Sequence, residues 1–154
     1  MNIMRWFVFT LLVVNVSWAQ EPEASTFTLN HIAISVENVD TSAQFYQNIF
    51  NFPEITNRSA FEGVRWFSIG PERELHLISI VEGDIQINKA VHLAFTTTAF
   101  TEFVERLKAN NINYSDWPGT PGKINIRADG IRQVFFQDPD GYWIEVNSVA
   151  QEGE

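Results

Sequence analysis

Three histidines and one glutamate are the side chains of this sequence best suited to chemistry. His31 lies in Asn-His-Ile-Ala-Ile at 30–34, and His92 in Val-His-Leu-Ala-Phe at 91–95. His76 lies in Glu-Leu-His-Leu-Ile at 74–78, and Glu145 in Trp-Ile-Glu-Val-Asn at 143–147. Each stretch reads as a strand, and strand side chains alternate between two faces. Ile32 and Ile34, Leu75 and Leu77, Val91, Leu93 and Phe95, and Ile144 and Val146 suit faces packed on helices. His31, His76, His92 and Glu145 then all fall on the opposite faces. The small residues Ala33 and Ala94, two positions beyond two of the histidines, leave room there. For any one of these histidines a solvated position on an open sheet is the plainer reading. Together, three imidazoles and a carboxylate form a donor set for a divalent ion of zinc, nickel, cobalt, manganese or iron.

The elements that must carry these residues occur twice. After each His-apolar-Ala-apolar strand comes a helical pattern. The first is capped by Asp40 or Thr41, with an apolar stripe of Phe45, Tyr46, Ile49 and Phe50. The second is capped by Thr98, with Phe100, Phe103, Val104 and Leu107. Strand-like stretches follow at 54–58, 64–69 and 74–80, and again at 112–116, 131–137 and 142–148. Gly70-Pro71 and Pro139-Asp140-Gly141 mark tight turns before each last strand. The order is βαβββ twice, with the joint near 82–89. The stretch from Trp117 to Gly130, rich in Gly and Pro, is a candidate lid or a plain surface loop.

Composition narrows the function. In 154 residues there are 10 basic and 19 acidic side chains, for a net charge of -9, so an acidic surface argues against nucleic-acid binding. The absence of cysteine excludes disulfides, thiolate metal sites and thiol nucleophiles. Arg5, the apolar run from Trp6 to Val14, and the small residues Ser17 and Ala19 read as a signal peptide over 1–19. That apolar run is short for a membrane span, so no stable anchoring is expected after cleavage. The expected organisation is a signal peptide (1–19), a linker (20–27), one domain (28–148, modules 28–82 and 89–148) and a tail (149–154). The mature protein is expected to be exported, periplasmic or secreted.

The motifs resemble the vicinal oxygen chelate superfamily, which includes glyoxalase I, methylmalonyl-CoA epimerase, fosfomycin-resistance transferases and extradiol dioxygenases. The resemblance rests on Asn30 to Val36, Phe45 to Phe52, Arg73 to Ile78 and Val91 to Phe95. Its most specific block is Phe135-Phe136-Gln137-Asp138-Pro139-Asp140-Gly141-Tyr142-Trp143-Ile144-Glu145. It implies an α+β fold, two βαβββ modules forming a curled mixed sheet around a metal cavity. It also implies metal ligands at His31, His76, His92 and Glu145, with Glu145 doubling as the catalytic base. His76 departs from bacterial-type glyoxalase I, which usually carries Glu there. The implied function is that of a metal-dependent lyase or isomerase of glyoxalase I type, acting on a small oxygen-chelating substrate. Alternatives are an iron(II)-dependent ring-cleaving dioxygenase, with His31, His92 and Glu145 as its triad, or a non-catalytic binding or resistance protein. The modules pair edge to edge between chains in many members, so the resemblance leaves two arrangements open, a site completed within one chain or one shared across a homodimer.

Overall fold

The computed structural model describes residues 27–81, 83 and 86–149. The expected signal peptide, the linker up to residue 26 and the tail beyond Val149 lie outside the described residues. The first half runs β1 (His31–Ser35), α1 (Val39–Phe50), β2 (Glu54–Ile55), β3 (Val64–Gly70) and β4 (Arg73–Ile78). The second runs β5 (His92–Thr97), α2 (Phe100–Ala109), β6 (Asn125–Ile126), β7 (Arg132–Gln137) and β8 (Trp143–Ser148). Each half makes a four-stranded sheet, ordered β1-β4-β3-β2 and β5-β8-β7-β6. The first strand pairs parallel with the last, and the remaining pairs are antiparallel. A parallel pair requires a crossover connection, which each helix begins.

Local chemistry sets the helix ends. Asn38, not Asp40 or Thr41, caps α1: its Oδ1 accepts from the backbone N–H groups of Asp40 and Thr41, both at 3.0 Å. Asn51 closes α1 in the left-handed conformation, φ 56°, which Asn tolerates better than most residues. The expected Thr98 cap of α2 is absent; Ala99 holds that position without a side-chain bond. The stretch 112–116 forms no strand, only isolated bridges of Ser115 to Phe135 and Pro121. Asp116 turns the chain there by accepting from the N–H groups of Gly119 and Thr120 at 3.0 and 2.7 Å. The edge strand of the second sheet is instead β6, inside the stretch expected to be a loop.

The α2 stripe of Phe100, Phe103, Val104 and Leu107 buries as its spacing predicts. In α1, Tyr46 and Ile49 are buried with Ala43, while Phe45 and Phe50 are partly buried against the core. They join Ile34, Phe67, Leu75 and Leu77 of the first sheet and Val134, Phe136, Ile144 and Val146 of the second in one core. Phe50 bridges the halves, its ring centre lying 5.0 to 6.1 Å from those of Phe52, Phe95, Phe103 and Phe136. Such ring pairs add about 0.5–1.5 kcal/mol each beyond area burial. Arg106 fastens the helices by donating to the Ile49 carbonyl at 2.9 Å.

This packing corrects the expectation of one curled sheet around a common cavity. The two sheets are separate, and their apolar faces turn toward a shared core with the helices. By strand alternation, the faces carrying the histidines and Glu145 point away from that core. Val91, expected on the helix side, precedes β5 and is exposed.

The Asp-Pro-Asp-Gly turn before β8 latches the halves together. Tyr46 Oη donates to Asp138 at 2.7 Å, and Asp138 also accepts from the N–H groups of Asp140 and Tyr142 at 3.0 and 2.8 Å. The Asp140 carboxylate accepts from Glu37 N–H at 2.6 Å and Ser42 Oγ at 2.5 Å, both in the first half. Gly141, at φ 87°, supplies the left-handed turn residue. Burial, more than the neighbouring Asp140 charge, pushes the Asp138 carboxyl above the usual range, against the Tyr46 and backbone hydrogen bonds. A carboxyl with a raised native pKa stabilises the fold while protonated. That contribution is full below its unfolded value of about 4 and is lost as pH rises through the raised native value. Wild type should therefore lose stability relative to Asp138→Asn as pH rises above about 4 in urea titrations; a flat difference contradicts the assignment. Tyr46→Phe, which strips the buried acceptor of its phenol donor, should cost about 1–3 kcal/mol in the same assay.

Candidate functional site

The two halves present equivalent positions. Ala33 pairs with His76 across β1 and β4, and Ala94 pairs with Glu145 across β5 and β8. His31 and His92 each stand two residues before those alanines. The internal repeat thus places His31 as the counterpart of His92, and His76 as the counterpart of Glu145.

In the first half, aromatic rings stack in a row along the outer face. His31 lies on His76 at 4.4 Å between ring centres, and Trp66 lies on the other side of His76 at 4.0 Å. Arg58 caps the row, with Cζ 4.5 Å from the Trp66 ring centre. The Glu74 carboxylate accepts from Arg58 Nη2 at 2.6 Å and from His76 Nε2 at 2.8 Å. Arg58 first and His76 second hold that carboxyl below its ordinary range. The Glu74 carboxylate thus bonds the His76 ring directly. The Trp66 indole N–H is buried without a partner.

In the second half, His92 Nε2 faces Glu145 Oε2 at 3.1 Å. The other Glu145 oxygen accepts from Gln133 Nε2 at 2.7 Å. Lys89, just before β5, has its ammonium 4.6 Å from the Phe135 ring centre and 4.9 Å from that of Trp143. The same ammonium donates to the Asp116 and Trp117 carbonyls at 2.7 and 3.0 Å. Desolvation lowers the Lys89 pKa. The stretch after Ser115 is thereby pinned over the outer face of the second sheet.

Ring-nitrogen chemistry shows what each histidine offers. His92 Nδ1 lies 3.0 Å from the Lys89 carbonyl, which only accepts, so Nδ1 carries the proton. A neutral His92 then aims the Nε2 lone pair at a carboxylate oxygen, an arrangement that calls for a proton or a cation between them. His31 Nδ1 likewise bonds Asn30 Oδ1 at 2.8 Å, leaving Nε2 as the donor atom. His76, with Nε2 committed to Glu74, offers Nδ1. Protonated-nitrogen partners of this kind set ligand tautomers in metal centres.

The structure brings His31 to His76 and His92 to Glu145, but it does not unite the pairs. Among the described residues no group of three or more His, Cys, Asp or Glu side chains is placed to hold a metal ion. The expected single four-ligand cluster is therefore not formed within one chain. Each outward sheet face carries two of the four donors. The donor types suit a divalent cation, and each face holds two of them.

Other basic side chains serve the fold. Arg65 bridges Glu54 at 2.6 Å and Asp40 at 2.9 Å. Arg127 pairs with Asp129. Arg132 lies over the Phe100 ring at 4.8 Å. Sequence reasoning missed Lys89 and Gln133. Strand alternation in β7 puts Gln133 on the face of Phe135, opposite Glu145, and is the signal that finds it.

The Glyoxalase/Bleomycin resistance protein/Dioxygenase superfamily model matches residues 28–146, and the chain belongs to that superfamily. The chain is 28% identical over 127 residues to the metallothiol transferase FosB of Staphylococcus epidermidis, covering 79% of this chain and 81% of that protein. It is 29% identical over 130 residues to Glyoxylase I 4 of Arabidopsis thaliana, covering 77% and 69%. The solved structure of the oxidase ChaP-H2 shares the fold, with a TM-score of 0.68 at 23% identity over 84% of this chain and 98% of that one.

Replacing Lys89 with Met should release the loop it pins. Amide hydrogen exchange at 116–120 should accelerate about tenfold or more while exchange in β5 and β8 stays unchanged. Unchanged protection in the loop contradicts the pinning role.

Proposed function

We propose that the chain is a metal-dependent lyase or isomerase of glyoxalase I type, acting on a small substrate with two neighbouring oxygens. Its site is completed when the outer face of the first sheet of one copy meets the outer face of the second sheet of another. The observation that carries this reading is the matched placement of two donor pairs, at equivalent positions on two outward faces. A second copy supplies the missing pair to each half with the closed two-fold symmetry that homodimers favour. Superfamily membership supports the metal, and the leader-like pattern at 1–19 supports an exported protein.

His31 and His76 of one copy and His92 and Glu145 of the other would hold the ion. A divalent metal in that setting supplies Lewis acidity toward two adjacent substrate oxygens. Glu145 is the carboxylate among the four and the group suited to take a proton beside a carbonyl. Ala33 and Ala94, lying beside His76 and Glu145, leave space for the substrate. Phe135, Trp117 and Trp66 wall it with apolar surface.

One observation favours a second reading. His76 is bonded to Glu74, a pairing that also suits proton transfer, so His31, His92 and Glu145 can act as the ligands while His76 serves as an acid or base beside them in place of ligating through Nδ1. Two imidazoles and one carboxylate suit iron(II) and oxygen chemistry.

Metal analysis of the mature domain, purified without chelator, tests both readings. About one nickel, cobalt, zinc or manganese ion per chain, lost in His92→Ala, is expected, together with a dimer by light scattering. Iron in place of those ions transfers support to the dioxygenase reading. No metal after reconstitution with each ion overturns both and leaves a non-catalytic binding protein.

A further inference from the structure

Glu145 is held by a chain of amides that its counterpart in the first half lacks. Gln133 is 6% exposed, yet it carries a primary amide. Its Nε2 donates to Glu145 Oε1 at 2.7 Å and to Asn147 Oδ1 at 2.9 Å. Its Oε1 accepts from Asn125 Nδ2 at 2.6 Å. Both amide protons and one carbonyl lone pair are thereby used, as buried polar groups require. The Glu145 carboxylate can only accept, so the Gln133 amide protons turn toward it and toward Asn147, and the Gln133 carbonyl turns toward β6, where the Asn125 amide donates to it.

The repeat provides an internal control. Gln133 pairs with Asn147 across β7 and β8, two residues from the Phe135–Glu145 pair. The matching pair across β3 and β4 is Val64 and Ile78, two residues from Trp66 and His76. An apolar pair therefore suffices for this position in the fold. The polar pair occurs in the half whose last-strand donor is a carboxylate.

We infer that Gln133, braced by Asn125, is a positioning residue that fixes the Glu145 carboxylate by one oxygen and presents the other toward His92. A carboxylate side chain has several rotors, and ordering it at the moment of ligation costs entropy that a standing hydrogen bond has already removed. A neutral amide does this without cancelling the negative charge, whereas an Arg or Lys in its place would neutralise the ligand. The inference rests on the proposed metal site and adds the residue that sets that site's strength.

The test is calorimetric titration of chelator-stripped wild type, Gln133→Met, Asn125→Ala, Glu145→Gln and the Gln133→Met/Glu145→Gln double variant with nickel(II) alone. Visible absorption of the cobalt(II) forms is recorded alongside. Gln133→Met should weaken metal binding about 10- to 100-fold, the range for lost partners of a metal ligand, and shift the cobalt spectrum. Asn125→Ala should weaken binding in the same direction by less, and it decides the matter if Gln133→Met does not fold. In the Glu145→Gln background, Gln133→Met should change affinity by less than about twofold. Wild-type affinity in both Gln133→Met and Asn125→Ala overturns the inference while the metal site stands. An equal loss from Gln133→Met with and without Glu145 also overturns it, because the effect then runs through the fold. A wild-type chain that takes no metal overturns the inference together with the proposed function.

Discussion

The packing of two apolar sheet faces around a shared pair of helices governs the rest of this molecule. Each βαβββ unit has one greasy face, and burying both faces together satisfies both units at once. Phe50 stands at the centre of that junction, within 5.0 to 6.1 Å of rings from both halves. The Asp138 and Asp140 carboxylates lock it from the side through Tyr46, Ser42 and Glu37. The consequence is geometric. Once the apolar faces are spent on one another, the polar faces must look outward in different directions. Two donor pairs on opposite outer faces cannot close on one ion inside a single chain.

Each outer face nevertheless carries the same arrangement of side chains. In both, a last-strand donor faces an alanine on the parallel strand, an aromatic ring on the antiparallel strand and a histidine two residues from that alanine. In both, a cation lies over the aromatic: Arg58 over Trp66 at 4.5 Å and Lys89 over Phe135 at 4.6 Å. The halves then diverge in how the donor is held. His76 is sandwiched between rings and bonded to the charged Glu74, whereas Glu145 is bonded to a neutral amide. An imidazole gains orientation and basicity from a carboxylate partner. A carboxylate would be repelled by one and is served by an N–H donor. The chemistry of the neighbour follows the chemistry of the donor.

Much of this was legible in the sequence because it is periodic. The helix stripes, the doubled βαβββ order and the outward placement of His31, His76, His92 and Glu145 all follow from spacings of two and of three to four residues. The Asp-Pro-Asp-Gly block signalled the family, though not that its carboxylates reach across to the first half. What escaped were features set by long-range or non-periodic contacts. The cap of α1 passed to Asn38 because the helix begins at Val39, which puts Asp40 and Thr41 inside its first turn. The edge strand moved from 112–116 to Asn125–Ile126 because Asp116 turns the chain first. The way the two sheets face is a tertiary choice that alternation within a strand cannot decide, and the curled-sheet expectation failed there. Lys89 was hidden because its role depends on carbonyls about thirty residues away in the sequence.

The claim that two copies share each site is tested most directly by complementation. One variant carries His31→Ala with His76→Ala, and the other carries His92→Ala with Glu145→Gln. Each alone leaves every site with half its donors. Unfolded together and refolded, they form mixed dimers in which one site is wholly defective and the other is complete. The account predicts that neither variant alone binds nickel tightly, and that the mixture regains wild-type affinity at about one site per mixed dimer. A mixture that forms mixed dimers and still binds no better than its parents would contradict the shared site.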